Sequence, residues 1–321
     1  MQNVEQPLDP VEYRFWLPPE GMTLTTGPDN EEIAVPQIIL PLHSADLEKS
    51  PEPSEKMIGE GLYDYLRRFP DCPKNDEYAK IIKAAYPFYL ADLGSQIIML
   101  EAKEVDPPYI RRKINMLKIL ALLEPDNFDL LQRVGIAYFE ISMIYTELIH
   151  VKRELSSARL WLENARRLQS DDIGNLNYLA QICYFSGNYP QAKLYWKIIA
   201  DKLEEGDSKS ELLGRIERIE NAQLPPQPMI ESLEAIGIAM EHYNIQEHAE
   251  ACTIMERLEE EGSLPQEMPN PEFFYFLGLC REKTEDLAGA FESFTKTLEL
   301  NPQHEAAQEG LDRIVDENER S

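Results

Sequence analysis

The chain has 321 residues, 43% of them hydrophobic, which is enough apolar material for a buried core and excludes a globally disordered polymer. Its 58 acidic residues outnumber 31 basic ones, for a formal charge of -27 at pH 7. A field of that sign repels phosphate backbones and anionic lipid, so nucleic acid and membrane surfaces are poor partners, and proteins with basic or partly apolar segments are better ones. The bland alternative is that the charge only keeps the chain dispersed. No run reaches the roughly 18 apolar residues of a membrane span, and Met1-Gln2-Asn3-Val4-Glu5 lacks the basic-then-apolar start of a signal peptide. Cys72, Cys183, Cys252 and Cys280 lie far apart with no CxxC pair, which fits buried thiols in a reducing compartment. A cytoplasmic location is expected.

Residues 1–56 hold nine of the 23 prolines and eleven acidic against three basic residues, a composition hostile to helices. Yet Tyr13, Phe15, Trp16 and Leu17, and then Ile33 to Leu42, supply more large apolar groups than a solvated tail carries. This segment reads as a proline-rich, acidic, extended arm that docks through Tyr13, Phe15, Trp16, Ile38 and Leu40. Its target is either its own chain, as a cap, or a separate protein.

Residues 57–106 read as N-terminal helices. Met57, Ile58, Leu62, Tyr65, Leu66 and Phe69 recur at helical spacing before Pro70, and a longer stretch over 76–104 bends near Pro87. Pro107-Pro108 then opens a helix ending at Glu124-Pro125-Asp126.

From there to residue 302 the pattern is helical hairpins. Leu179-Ala180 is followed twelve residues on by Ala192 and then by Trp196; Leu277-Gly278 is followed at the same spacings by Ala290 and Phe294. Between Gly135 and Ala158 the interval is 23 residues, a surplus close to three helical turns. That predicts an elongated, protruding central hairpin over about 128–169. An inserted helix is expected over about 209–222, ahead of Pro225-Pro226-Gln227-Pro228. A third hairpin carries Gly237 and Ala249 but has Thr253 where a large apolar residue is expected. Glu261-Gly262 to Pro271 reads as a loop, and 303–321 as a C-terminal capping helix and tail with Leu311, Ile314 and Val315 inward.

Two segments carry a family signature: Asn175-Leu176-Asn177-Tyr178-Leu179-Ala180 with Ser186-Gly187-Asn188-Tyr189-Pro190-Gln191-Ala192 and Trp196, and Phe274-Tyr275-Phe276-Leu277-Gly278 with Ala290, Phe294 and Asn301-Pro302. They resemble the tetratricopeptide repeat family, clearly over about 173–205 and 271–302 and more loosely elsewhere in 108–302. The resemblance implies an all-α fold, a right-handed α-solenoid of helical hairpins whose first helices line a concave groove for peptides or partner helices. Carried over by spacing, the groove displays Gln132, Ile136, Phe139, Asn177, Gln181, Tyr184, Phe185, Tyr275, Leu279 and Glu282. Members that clamp a C-terminal carboxylate use Lys, Arg and Asn there. Gln132, Ile136, Asn177 and acids are a poor clamp.

No chemistry stands out. His242 and His248 are six residues apart and do not share a helix face as a metal pair would. There is no Gly-rich phosphate loop, GxSxG elbow or catalytic Cys–His pairing. No catalytic residue, cofactor or metal is expected. The functional expectation is a non-enzymatic interaction scaffold or adaptor, the alternative an acidic chaperone-like protein holding a secretion or assembly client.

Overall fold

The computed structural model describes residues 12–27, 31–49, 52–102 and 106–320, with the side chains of 49 and 317–320 excepted, so Met1-Gln2-Asn3-Val4-Glu5 lies outside the described residues. These residues form sixteen α-helices and four short strands, and the fold is all-α. The chain divides into two compact units, residues 1–137 and 138–321. The boundary falls inside one helix, and the helix that opens at Pro107 lies in the first unit.

In the first unit the expected extended arm is folded. Strand β1 (Tyr13–Trp16) pairs antiparallel with β4 (Leu40–His43), and β2 (Thr23–Thr26) with β3 (Glu31–Ala34). A short helix, α1 (Ser44–Lys49), follows where proline content argued against any. Next come α2 (Glu55–Arg68), α3 (Asn75–Ala85), α4 (Pro87–Glu101), α5 (Pro107–Leu123) and most of α6 (Phe128–Ser142). Pro87 is the first residue of α4, so the bend expected there is a full break between helices. The ribbons sit on α2 and α3 because α2 has a notch: a Cβ at Gly61 would lie 2.5 Å from the Pro41 carbonyl oxygen. Tyr78 fastens this segment by donating to the Ile39 carbonyl (2.6 Å), and Tyr86 ties down the start of α2 by donating to the Glu55 carbonyl (2.7 Å). Leu24, Leu40 and Leu42 join Ile58, Leu62, Leu66 and Ile82 in the core.

The second unit runs through a 3-10 turn (Tyr145–His150), α7 (Val151–Leu168), α8 (Ile173–Phe185), α9 (Tyr189–Lys202), α10 (Asp207–Glu220), α11 (Met229–Asn244), α12 (His248–Glu261), α13 (Ser263–Glu267), α14 (Pro271–Lys283), α15 (Leu287–Leu300) and α16 (Glu305–Arg320). Three hairpins, α8/α9, α11/α12 and α14/α15, turn through three-residue loops. The middle loop residue is left-handed each time: Gly187 (φ +75°), Gln246 (+69°) and Glu285 (+67°). The next residue reaches back five positions, Asn188 to the Cys183 carbonyl (2.8 Å), Glu247 to His242 (2.9 Å) and Asp286 to Arg281 (3.0 Å). This closure satisfies carbonyls that the helix end leaves open.

Pairing then follows small residues. Ala180 and Ala192 are fully buried beside Trp196. The Phe294 ring is sandwiched, since a Cβ at Gly278 would meet it at 2.6 Å and one at Gly310 at 2.7 Å. Gly310 belongs to α16, which covers α15 with Ala307 and Ile314. Val315, expected inward, is 45% exposed.

The elongated hairpin over 128–169 takes another form. Helix α6 stops at Ser142, and the surplus residues make the 3-10 turn, which lies against α11. Gly237 is the reason: a Cβ there would stand 2.1 Å from the Ile149 nitrogen. Leu148 and Val151 are buried. Folding them inward gains apolar burial that a projecting hairpin would forgo. The extra helix before Pro225 is α10, and the connector read as a loop contains α13.

An ion cluster joins α12, α14 and α15. Arg281, 13% exposed, donates to Glu259 (2.7 Å), Glu256 (3.3 Å) and Ser293 (2.8 Å), and Lys296 donates to Glu259 (2.7 Å). Burial, the largest influence on the Glu259 carboxyl, raises its pKa, but Lys296 and Arg281 together outweigh it and hold the carboxyl below its ordinary value of 4.5.

Two predictions follow from this packing. Left-handed backbone costs a side-chain-bearing residue about 1–2 kcal/mol, part of which a glycine returns as unfolded-chain entropy. Glu285→Gly and Gln246→Gly should therefore each stabilise by about 0.5–1 kcal/mol in urea unfolding, whereas Gly187→Ala, which also meets Pro228 at 2.9 Å, should destabilise. Because the folded pKa of Glu259 is depressed, its contribution is full above pH 4.5 and is lost as pH falls through the folded value. Melting curves of Glu259→Gln should show a smaller loss of stability on acidification below that pH than the native chain.

Candidate partner-binding face

The ten residues of the expected groove fall into three settings. Gln132 and Ile136 are half-buried on the part of α6 in the first unit. Phe139, Asn177, Gln181, Tyr184 and Phe185 come together in the second unit, on the end of α6 and on α8. Tyr275, Leu279 and Glu282 stand on α14 beneath α16.

That last group is occupied by the chain itself. Tyr275 packs between Phe294 (5.9 Å between centroids) and His304 (4.7 Å), Leu279 joins the core around Phe294, and Glu282 accepts two hydrogen bonds of 2.9 Å from Arg313. Leu311, Ile314 and Arg313 of α16 therefore take the place that a partner was expected to fill.

The middle group carries a stack of rings. Phe139 and Phe185 lie nearly parallel, 6.4 Å apart at 14°, and Tyr178 meets Phe139 edge-on at 5.1 Å. All three are half-buried, as are Asn177 and Gln181. Tyr178 was missing from the expected set, although it belongs to the same signature segment.

Tyr184 has a different role. Its ring packs against Tyr189 (5.3 Å) and Trp196 (5.5 Å), and its hydroxyl donates to Glu267 of α13 (3.0 Å). Glu267 in turn accepts from Arg218 of α10. Burial first, and then the Glu267 carboxylate, push the Tyr184 phenol well above its ordinary pKa. Neither Arg218 nor Glu267 was singled out from the sequence, since both stand in segments outside the repeat signature.

Beside this cluster is a small, mostly apolar pocket lined by Met143, Tyr145, Leu148, Leu233, Ile236, Leu264, Met268, Asn270 and Phe273. Leu264 and Met268, from α13 and its end, form one wall. Burial holds the Tyr145 phenol well above its usual pKa.

The arm residues are also placed. Leu40 is fully buried in the first unit's core. Tyr13 is held by His43 (5.0 Å), Tyr65 (5.2 Å) and the Arg68 guanidinium (5.8 Å). Trp16 and Ile38 are half-buried, while Phe15, Leu17 and Ile39 remain 57%, 58% and 52% exposed.

Among the described residues there is no group of three or more His, Cys, Asp and Glu side chains that could hold a metal ion, and no single helix long and apolar enough to cross a membrane. Cys183, Cys252 and Cys280 are buried and free; burial pushes the Cys280 thiol up to about 12, so it is not a thiolate at neutral pH.

No family model and no curated protein matches the chain. Among solved structures it is similar to a tetratricopeptide repeat protein from Parabacteroides merdae ATCC 43184, at 16% identity and a TM-score of 0.37, over 80% of this chain and 98% of that one.

Tyr184→Phe, which removes the bond to Glu267, should cost about 1 kcal/mol. Tyr184→Ala should cost more than Phe185→Ala, because only Tyr184 packs on the buried Trp196. Urea unfolding of the three variants checks that order.

Proposed function

We propose that this chain is a non-enzymatic scaffold or adaptor of the cytoplasm that holds a protein partner on the face of Phe139, Tyr178 and Phe185. The single observation behind this reading is that ring stack, half-buried on α6 and α8. Rigid aromatic rings give large contact area at little entropic cost, and flanking amides such as Asn177 and Gln181 can fix a segment's orientation. The partner is an apolar segment of a protein whose net charge is basic, because a chain of -27 attracts that sign. A second contact surface is the outer side of the N-terminal ribbon, where Phe15, Leu17 and Ile39 are exposed. A chaperone holding a client draws its support from the same acidity, and differs in releasing its partner as salt rises.

The test is affinity capture with the native chain and with Phe139→Ala/Phe185→Ala, compared at matched helical content. Partner recovery should fall at least about tenfold, the effect of losing hot-spot rings worth roughly 1.4 kcal/mol or more. Undiminished capture would rule the face out. The arm is tested by Phe15→Glu/Leu17→Glu rather than by truncation, since removing residues 1–56 would strip Leu40 and Leu42 from the first unit's core.

A further inference from the structure

The connector between α12 and α14 spans residues 262–270, where α7 and α8 are joined by only 169–172. Its surplus is not slack. Gly262, left-handed at φ +68°, ends α12, and the Asn270 side chain caps α14 by accepting from the Glu272 N–H (2.9 Å). Helix α13 is therefore punctuated on both sides, and lifting it away unwinds neither neighbour.

Leu264 and Glu267 of α13 and Met268 just past its end hold it to the rest of the unit, at spacings i, i+3 and i+4. Leu264 is 4% exposed and lines the apolar pocket together with Met268. Glu267, with a side chain 12% exposed, lies between Arg218 and the Tyr184 hydroxyl. In an acidic chain, Arg218 is a local site for an incoming carboxylate. The neighbouring walls, Met143, Leu233 and Phe273, come from separate elements and would be uncovered if α13 moved.

We propose that α13 is a strap occupying, in cis, a docking site for a helical partner segment that presents two apolar residues and an acid at the spacing of Leu264, Met268 and Glu267. The site continues from the aromatic face through Phe185 and Tyr184, so the inference rests on that face being a partner surface and adds the partner's local pattern. A tethered occupant acts at a high effective concentration. The free partner must therefore outcompete α13, and the site is closed to weak or mismatched segments.

The probe is a fluorescently labelled synthetic peptide of residues 261–270, and the host is the full chain with residues 263–268 replaced by an equal-length Gly/Ser stretch. Anisotropy should show the peptide binding this host at least about tenfold more tightly than the native chain, whose own strap competes. Arg218→Glu in the same host should abolish binding, and a Glu267→Arg peptide should restore it. Equal affinity for native and strap-replaced chains, or indifference to the charge swap, overturns the proposal. If the replacement lowers helical content, Glu267→Ala serves as host, and peptide binding no tighter than to the native chain overturns it equally. Capture of a partner that depends on Phe139 and Phe185 but not on the strap refutes the strap and leaves the aromatic face intact. Peptide binding that survives Phe139→Ala/Phe185→Ala, with partner capture also unchanged, refutes the face and supports the strap site.

Discussion

A left-handed residue in a three-residue loop sets the geometry of each hairpin in the second unit. With Gly187, Gln246 or Glu285 in that conformation, the following amide reaches back to the helix it has just left and the chain reverses within one turn. Such short reversals force paired helices into contact over most of their length, so the residues at the crossing have to be small. Ala180 with Ala192, and Gly278 under the Phe294 ring, meet that demand. Only the first loop has glycine at the left-handed position. In the other two, tertiary packing outweighs the local strain, as expected when most helical stability comes from burial rather than propensity.

Once hairpins are fixed in this way, α8, α11 and α14 present surfaces that other parts of the chain partly use up. Helix α16 covers α14 and is anchored by Arg313 on Glu282 and by Gly310 against Phe294. Helix α13 crosses to Tyr184 and Arg218. The 3-10 turn occupies the side of α11 opened by Gly237. The stack of Phe139, Tyr178 and Phe185 stays half-buried.

The parts legible in the sequence were those with local causes. Spacing of Ala180, Ala192 and Trp196, and of Gly278, Ala290 and Phe294, placed two hairpins, and the apolar periodicity of 57–66 placed α2. The segments that misled were those whose conformation depends on distant residues. The interval from Gly135 to Ala158 was in phase with three extra turns, but periodicity cannot register that Gly237, far along the chain, leaves room for Ile149. Prolines in 1–56 argued correctly against long helices and said nothing of the ribbons, because Gly61 and Tyr78 supply their docking. At the site, spacing assigned residues to inner helix positions without showing whether α13 or α16 already covers them. Tyr275, Leu279 and Glu282 are engaged by Phe294, His304 and Arg313 of their own chain.

Surplus acid repels itself, and part of it here is neutralised locally by cations: Lys152 faces Glu231 and Glu234, Arg133 faces Glu101, and Arg281 is held among Glu256, Glu259 and Asp286. Exposed pairs of this kind contribute little to stability each. Arg218 is distinct because its carboxylate comes from a short helix insulated at both ends from its neighbours, whereas Arg281 binds carboxylates on α12 and on the loop before α15, which cannot leave without taking a hairpin apart. The same ion-pair chemistry therefore has opposite consequences in the two places. Around Arg281 it ties the α11/α12 and α14/α15 hairpins together, and at Arg218 it secures the segment proposed above to give way to a partner.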